Sequence, residues 1–258
     1  MIQHKWKGDY VYLLQNLVLK DFRIRYRNMS LGILWSLINP LVMMGVLTFV
    51  FSGVIGAKSG PSYPLRVLSG LVPFNFFTAA WLSGTTSIIV NAPLVKRVAV
   101  PREVVPIAAV LSNCVHLLIQ VALLLVLTFS FGFHPNRFWI WLLPLWLLFI
   151  AFVCGIALIT SAISVFVRDT QYVVESFNVV LFWLVPIFYA FENIPDQYKV
   201  VYRFNPVAAL VMATRNILLD NQAPAATLIR NMVIAAVVAL GVGLVVFRRL
   251  KRGFYEYI

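Results

Sequence analysis

The sequence predicts an all-α, polytopic membrane protein with six transmembrane helices. An amphipathic interfacial helix precedes them, and a re-entrant or half-buried helical region lies before the last span. Composition is the first reason. Of 258 residues, 61 % are hydrophobic and 12 % charged, against roughly half and a quarter in a soluble domain. The second is the length of the charge-free gaps. Arg27 to Lys58, Arg66 to Lys96, Glu103 to Arg137 and Arg137 to Arg168 each enclose about 30 uncharged residues, and a spanning helix needs about 20. The third is the absence of alternation. Lipid leaves only helices and closed barrels as spanning structures, and barrel strands alternate apolar and polar residues. LLIQVALLLVLTF, Leu117 to Phe129, does not alternate.

Two shorter gaps, Glu175 to Glu192 and Arg230 to Arg248, complete the set. The expected spans are residues 31–55, 67–90, 105–130, 139–164, 173–191 and 227–247. The chain then divides into an N-terminal interface segment (1–30), a transmembrane unit (31–247) and a C-terminal tail (248–258). Fourteen of the 21 basic residues fall in the N-terminal segment, the 91–104 loop, the 165–172 loop and the tail. Positive charge marks the cytoplasmic side, so both termini are expected there. The net charge of +12 follows largely from this topology and suits an anionic leaflet. No soluble nucleic-acid module is present. The first 30 residues do not read as a signal peptide, because no short apolar core leads to a cleavage site.

Within YVYLLQNLVLKDFRIRYR (residues 10–27), Asn16, Lys20, Arg23 and Arg27 recur at helical steps and form one polar face. Leu14, Leu17 and Val18 lie roughly opposite, and Asp21 and Arg25 stand four apart. Such a helix lies in the interface plane. Its arginines are either an anchor or a cluster that meets a phosphate-bearing substrate, since the planar guanidinium suits phosphate oxygens. Pro40, Pro73, Pro106, Pro144 and Pro186 fall inside or near the ends of five spans, either as pathway-shaping bends or as packing features. The 91–104 loop, NAPLVKRVAVPREV, mixes apolar and basic residues. It reads as a docking helix for a soluble partner or as a basic surface loop. Residues 192–226 are long for a connector. Inside them Asn205 and Pro206 make a helix start for Phe204 to Leu219, with Arg215 in its second half. Aromatic residues in FWLVPIFYAF (Phe182 to Phe191) either belong to an interfacial belt or line a conduit for sugars.

Enzymatic and metal chemistry find no support. His4, His116 and His134 are widely separated, and Cys114 and Cys154 fall inside spans, as packing residues do. Asp169 and Glu175 lie near a boundary, which argues against a proton-driven carrier. No phosphate-binding glycine run with a lysine is present, so any ATP-driven step needs another chain.

Four stretches in this order, RYRNMSLGILWSLINPL, NAPLVKRVAVPREVVP, VFVRDTQYVVE and YRFNPVAALVMATRNILL, resemble the membrane subunit of type-2 ABC exporters that move polysaccharides such as O-antigen or teichoic acid. The resemblance runs from about residue 10 to the last span. It implies a homodimer in the cell inner membrane, two cytoplasmic ATP-binding-cassette subunits, and a glycan on a polyprenyl pyrophosphate as substrate. ATP and Mg would sit on the partner ATPase, with no cofactor on this chain. The first and fifth spans would line the conduit. Arg23, Arg25, Arg27, Trp35, Phe182, Trp183, Phe188 and Tyr189 become candidate substrate contacts, and the arginines are equally candidates for ATPase contact. Lys96, Arg97, Val98, Arg102 and Glu103 become the coupling segment. Alternating arginines do not share a helix face, so at most two act together. Two other readings remain: export of a drug or lipid by the same architecture, and a membrane enzyme that transfers groups on polyprenyl phosphate.

Overall fold

The computed structural model describes residues 9–27, 32–54, 60, 62–97 and 100–257. They form a helical bundle. α1 (Tyr10–Tyr26) begins at Asp9, whose carboxylate accepts from Val11 N at 2.8 Å and Tyr12 N at 3.3 Å. This satisfies two of the amides that every helix start leaves open. α2 (Trp35–Thr48) runs on through a π-helical stretch, Phe49–Val54. α3 (Tyr63–Val90), α5 (Val104–Ser130), α6 (Leu142–Phe166) and α10 (Ala226–Leu250) are the long helices, and the six-residue α4 (Ala92–Arg97) sits in the 91–104 loop. Among the described residues five stretches are long and apolar enough to cross a membrane: Gly32–Val54, Tyr63–Val90, Val104–Ser130, Arg137–Phe166 and Ala226–Gly253.

The remaining crossing differs from expectation in an informative way. α7 (Thr170–Leu184) stops after 15 residues instead of running to 191. Pro186 explains the stop. A proline excludes its predecessor from the helical region, and Val185 is extended at φ −94°, ψ 135°. At 1.5 Å per residue α7 covers about 22 Å, less than the hydrocarbon thickness. Residues 185–190 continue from it as non-helical chain. Of the other prolines, Pro40 and Pro73 lie inside helices. Pro106 and Pro144 occupy first turns, where proline disturbs little.

Region 192–226 contains two helices, α8 (Asp196–Phe204) and α9 (Pro206–Leu218). Asn205 caps α9 through Val207 N at 3.0 Å, with Pro206 at the first position, as its sequence predicts. Eleven of the 13 residues of α9 are buried. The helix is therefore enclosed by the bundle and does not lie on its surface.

Small residues set the closest helix approaches. A methyl group on Gly155 of α6 would come 2.5 Å from Leu240 N and 2.6 Å from Ala239 O, both backbone atoms of α10. Gly243 of α10 faces the Gly155 carbonyl in return. In lipid, helices associate by packing of this kind, because tails are as apolar as leucine. Gly84 plays the same part between α3 and α6, where a methyl would lie 2.6 Å from Ala157 Cβ.

Two apolar clusters result. The larger runs through α3, α5, α6, α7 and α9. The smaller gathers Leu17, Ile88, Val95, Val104, Val165, Phe247 and Phe254 at the end of the bundle that holds both described chain ends. The short C-terminal helix α11 (Phe254–Tyr257) belongs to it.

Candidate functional site

The terminal end of the bundle holds the segment expected to couple to a partner. Asn91 closes α3, and its carbonyl accepts from Leu94 N and Val95 N, each at 3.0 Å, which turns the chain into α4. Its side chain is buried and donates to Ser87 O at 2.9 Å. The Lys20 ammonium of α1 donates to the Asn91 side-chain oxygen. The interfacial helix thus holds the loop directly, and Leu17 buries its side chain in the same cluster as Val95. Asp21 pairs with Lys20 at 3.6 Å. The Arg25 side chain, expected to partner Asp21, lies outside the described residues, as do the Arg97 side chain and Val98.

The remaining coupling candidates divide. Lys96 is exposed. Arg102 and Glu103 turn toward the C-terminal segment. Arg102 Nη1 donates to Lys251 O at 2.7 Å, and its guanidinium sits 5.8 Å from the Phe254 ring centre. Glu103 pairs with Lys251 Nζ at 3.4 Å. Phe254 is fully buried and meets Phe247 edge-on at 5.5 Å. This brace between the loop and the tail was not foreseen. Its signal in the sequence was an aromatic residue just beyond a run of four basic positions, Arg248, Arg249, Lys251 and Arg252.

The substrate candidates fall at two ends. Arg23, Arg27 and Trp35 are exposed at the start of the bundle. Arg23 lies on α1, whereas Arg27 follows the helix's last residue in extended conformation (φ −67°, ψ 132°), so helical spacing does not place the two on one face. Phe182, Trp183, Phe188 and Tyr189 come together at the far end of α7. Phe182 lies 5.6 Å from Trp183 and 5.8 Å from Phe188, and Phe188 lies 5.1 Å from Tyr189. Phe51 stacks on Phe188 at 4.7 Å and Phe74 meets Phe182 at 5.4 Å, two members the sequence did not single out. Exposure separates their roles. Trp183 is 58 % exposed and offers a ring face outward, whereas Phe188 is 7 % exposed and packs within the chain. Tyr189 OH donates its one proton to Trp183 O at 2.9 Å and therefore accepts from Tyr202 OH at 3.1 Å.

The non-helical stretch after α7 is held by two side chains, chiefly that of Arg215. Arg215 of α9 is buried, and its guanidinium donates to the carbonyls of Pro186, Ile187 and Tyr189 and, from Nε at 3.2 Å and Nη2 at 2.9 Å, to that of Arg66. All five N–H groups of the fork are used. Tyr63 OH donates to Phe188 O at 2.7 Å. Irregular backbone at membrane depth requires such a protein lining. Gly70 makes the space for it. A methyl there would stand 3.1 Å from both Arg215 Nη2 and Ile187 Cα.

Among the described residues no group of three His, Cys, Asp or Glu side chains comes together to hold a metal. Nothing among the described residues places a nucleophile beside a base. What it offers is a charged loop braced at one end and an aromatic cluster pinned at the other.

Comparison with known proteins accords with this architecture. The family model described as ABC-2 type transporter matches residues 12–219. An O-antigen export system permease protein, RfbA, of Klebsiella pneumoniae is 30 % identical over 262 residues, covering 98 % of this chain and 99 % of that protein. The protein of the same name in Myxococcus xanthus is 27 % identical, covering 97 % and 96 %. The polysialic acid transport protein KpsM of Escherichia coli is 24 % identical, covering 91 % and 92 %. With the family model matched from the interfacial helix to the end of α9, and relatives aligned over nearly their whole length, the chain belongs to the ABC-2 type transporter family.

Proposed function

We propose that this chain is the membrane-spanning subunit of an ATP-driven exporter that moves a polyprenyl-pyrophosphate-linked polysaccharide across the cytoplasmic membrane. Two copies would pair, and each would engage one ATP-binding-cassette subunit on the side of the two termini. ATP and Mg would belong to those subunits. The observation that carries a paired arrangement is the outward apolar faces of α2 and α7. Val42, Val46 and Phe49 project from the first span, and Val173, Phe177, Val180 and Trp183 from α7. Apolar faces of this extent on α2 and α7 suit a path formed between copies. The names of the relatives support a polysaccharide as cargo.

In this reading Lys96 and Arg97 face the ATPase. ATP binding draws the two ATPase subunits together, and α4 passes the displacement through Asn91 and Lys20 to α1 and α3. Arg23 on α1 and Arg27 just beyond its end receive the pyrophosphate, and Trp35 stands at the entrance. The glycan then advances toward Trp183, whose exposed ring stacks on the apolar faces of sugars. No residue forms or breaks a bond with the substrate.

Mass spectrometry of the gently solubilised native complex tests this. Two copies of this chain, two ATPase chains and a retained pyrophosphate-linked glycan are expected. A lone chain that carries a processed lipid phosphate would refute it, and a small lipid or drug beside two ATPase chains would keep the architecture and change the cargo.

A further inference from the structure

The loop that carries α4 is held at both ends. Its entrance is fixed where Lys20 of α1 donates to the Asn91 side chain. Its exit is the turn at residues 101–103, which starts α5: Val104 N donates to Pro101 O at 3.1 Å and Val105 N to Arg102 O at 3.2 Å. The C-terminal segment grips that turn. Arg102 Nη1 donates to Lys251 O at 2.7 Å, and the same carbonyl accepts from Phe254 N, which closes the short turn Lys251–Gly253. The Lys251 ammonium lies 3.4 and 3.5 Å from the two Glu103 carboxylate oxygens.

The segment is itself anchored in two spans. Phe254 is fully buried and meets Phe247 of α10 at 5.5 Å and Phe166 of α6 at 6.0 Å. Tyr257 meets Phe166 at 4.9 Å. α6 and α10 already interlock at Gly155 and Gly243. Val95 of α4 and Val104 and Val105 of α5 share one buried cluster with Phe247 and Phe254. Apolar burial therefore supplies the stability of this region. The ion pair supplies little of it. The Lys251 and Glu103 side chains are 36 % and 23 % exposed, and a pair this wet adds little to folding. Its effect is directional: it fixes the exit of the loop against the end of α10.

We propose that the C-terminal segment, residues 251–257, is a coupling element, which splints the exit of the α4 loop to α10 so that α4, α5, α6 and α10 are displaced as one body. The inference rests on the proposed function. Lys251, Arg102 and Glu103 are positioning residues in it, because they act through the placement of the loop. A displacement at α4 then reaches α10 and α6 through the loop's exit, as it reaches α1 and α3 through its entrance. With the ion pair reversed on one side, α4 and α5 move without carrying α10, and hydrolysis proceeds with less transport.

The test uses inverted membrane vesicles that hold the full complex and the cell's own lipid-linked glycan. Glycan that enters the lumen escapes added periodate, and ATP hydrolysis is taken as the difference from vesicles that lack this chain. The quantity read is glycan protected per ATP hydrolysed. Lys251→Glu is expected to lower this ratio about two- to fivefold, the range over which one exposed ion pair biases an equilibrium. Glu103→Lys should lower it similarly, and the double reversal should recover most of the loss. Recovery of the ATPase subunits should be unchanged in all three, and the unfolding midpoint should move by no more than about 4 °C. A pair that only supported the fold would reduce the amount of complex and leave the ratio alone. An unchanged ratio in both single variants overturns the inference. So does a lowered ratio that the double reversal leaves unrestored, or a defect that tracks lost ATPase subunits. Wild-type vesicles in which no ATPase chain accompanies this protein, or in which ATP protects no glycan, refute the proposed function and the inference with it, and that result is read before any variant is made.

Discussion

Replacing Arg215 by methionine keeps an unbranched apolar stem and removes the guanidinium. Four carbonyls lose a donor, but not equally. Arg66 O retains the Ser69 hydroxyl at 2.8 Å. The Tyr189 contact is long, at 3.5 Å. The carbonyls of Pro186 and Ile187 have no other partner in the described hydrogen bonds. Each buried carbonyl left unpaired costs about 1–3 kcal/mol, so the pair predicts a loss of about 2–6 kcal/mol. Removing a desolvated cation returns part of this, which places the net loss in the lower half. At about 2–4 °C per kcal/mol for a chain of this size, the unfolding midpoint in detergent should fall by at least about 4 °C. The damage is local in origin, so limited proteolysis should show new cleavage between residues 185 and 195. Arg215→Lys keeps the charge but has fewer donors and no planar fork, and should fall between the two. A midpoint within 1 °C of wild type, with no new cleavage, would refute the assignment of Arg215 as the support of this stretch.

Other substitutions probe the remaining contacts. Gly155→Ala drives a methyl into the α10 backbone, which cannot step aside as a side chain does, and should cost about 1–3 kcal/mol by thermal unfolding. Gly241→Ala on α10, with nothing within 4 Å, should be neutral or slightly stabilising in the same assay. Phe254→Ala empties a fully buried position and should cost about 3–5 kcal/mol, concentrated in the tail and visible as faster amide exchange around residues 247–257. Lys96→Glu with Arg97→Glu should reduce recovery of an ATPase partner or uncouple hydrolysis from export while leaving the unfolding midpoint unchanged. Arg102→Glu should instead lower that midpoint, because it breaks the contacts to Lys251 O and Phe254.

Much of the bundle was legible because lipid simplifies the code. Charge-free runs marked α3, α5, α6 and α10 to within a few residues, and Asn205–Pro206 announced α9. The early end of α7 was legible in part. Pro186 was noted, but its effect falls on Val185, and counting apolar residues carried the span on to 191. The role of Arg215 was not legible, since its partners are carbonyls at positions 66 and 186–189, and carbonyls have no sequence signature. The same holds for Gly155, an ordinary glycine until its neighbour Ala239, more than 80 positions away, is known. Among the coupling candidates, residue type alone did not separate the exposed Lys96 from Arg102, which serves the fold.

These contacts also constrain how a displacement at α4 can travel. The first span has only 17 % of its apolar window buried, whereas α3 has two-thirds of its window buried. The far end of α7 is tied through Arg215 to α9 and the start of α3, so α7 cannot slide along α3 without losing the bonds to Pro186 and Ile187. A push on the loop reaches α3 at Asn91 and α1 at Lys20. It therefore meets a body that includes α3, the far end of α7 and α9, and a first span that is held less tightly. Relative motion of α2 against that body costs the least, because few buried side chains and no described ion pair cross that boundary. Phe51, which follows α2 and stacks on Phe188, is the contact that such a motion must break or carry with it. Phe51→Ala should then alter transport more than it alters stability, since its ring is only partly buried. An export rate unchanged beside a lowered unfolding midpoint would place the moving boundary elsewhere.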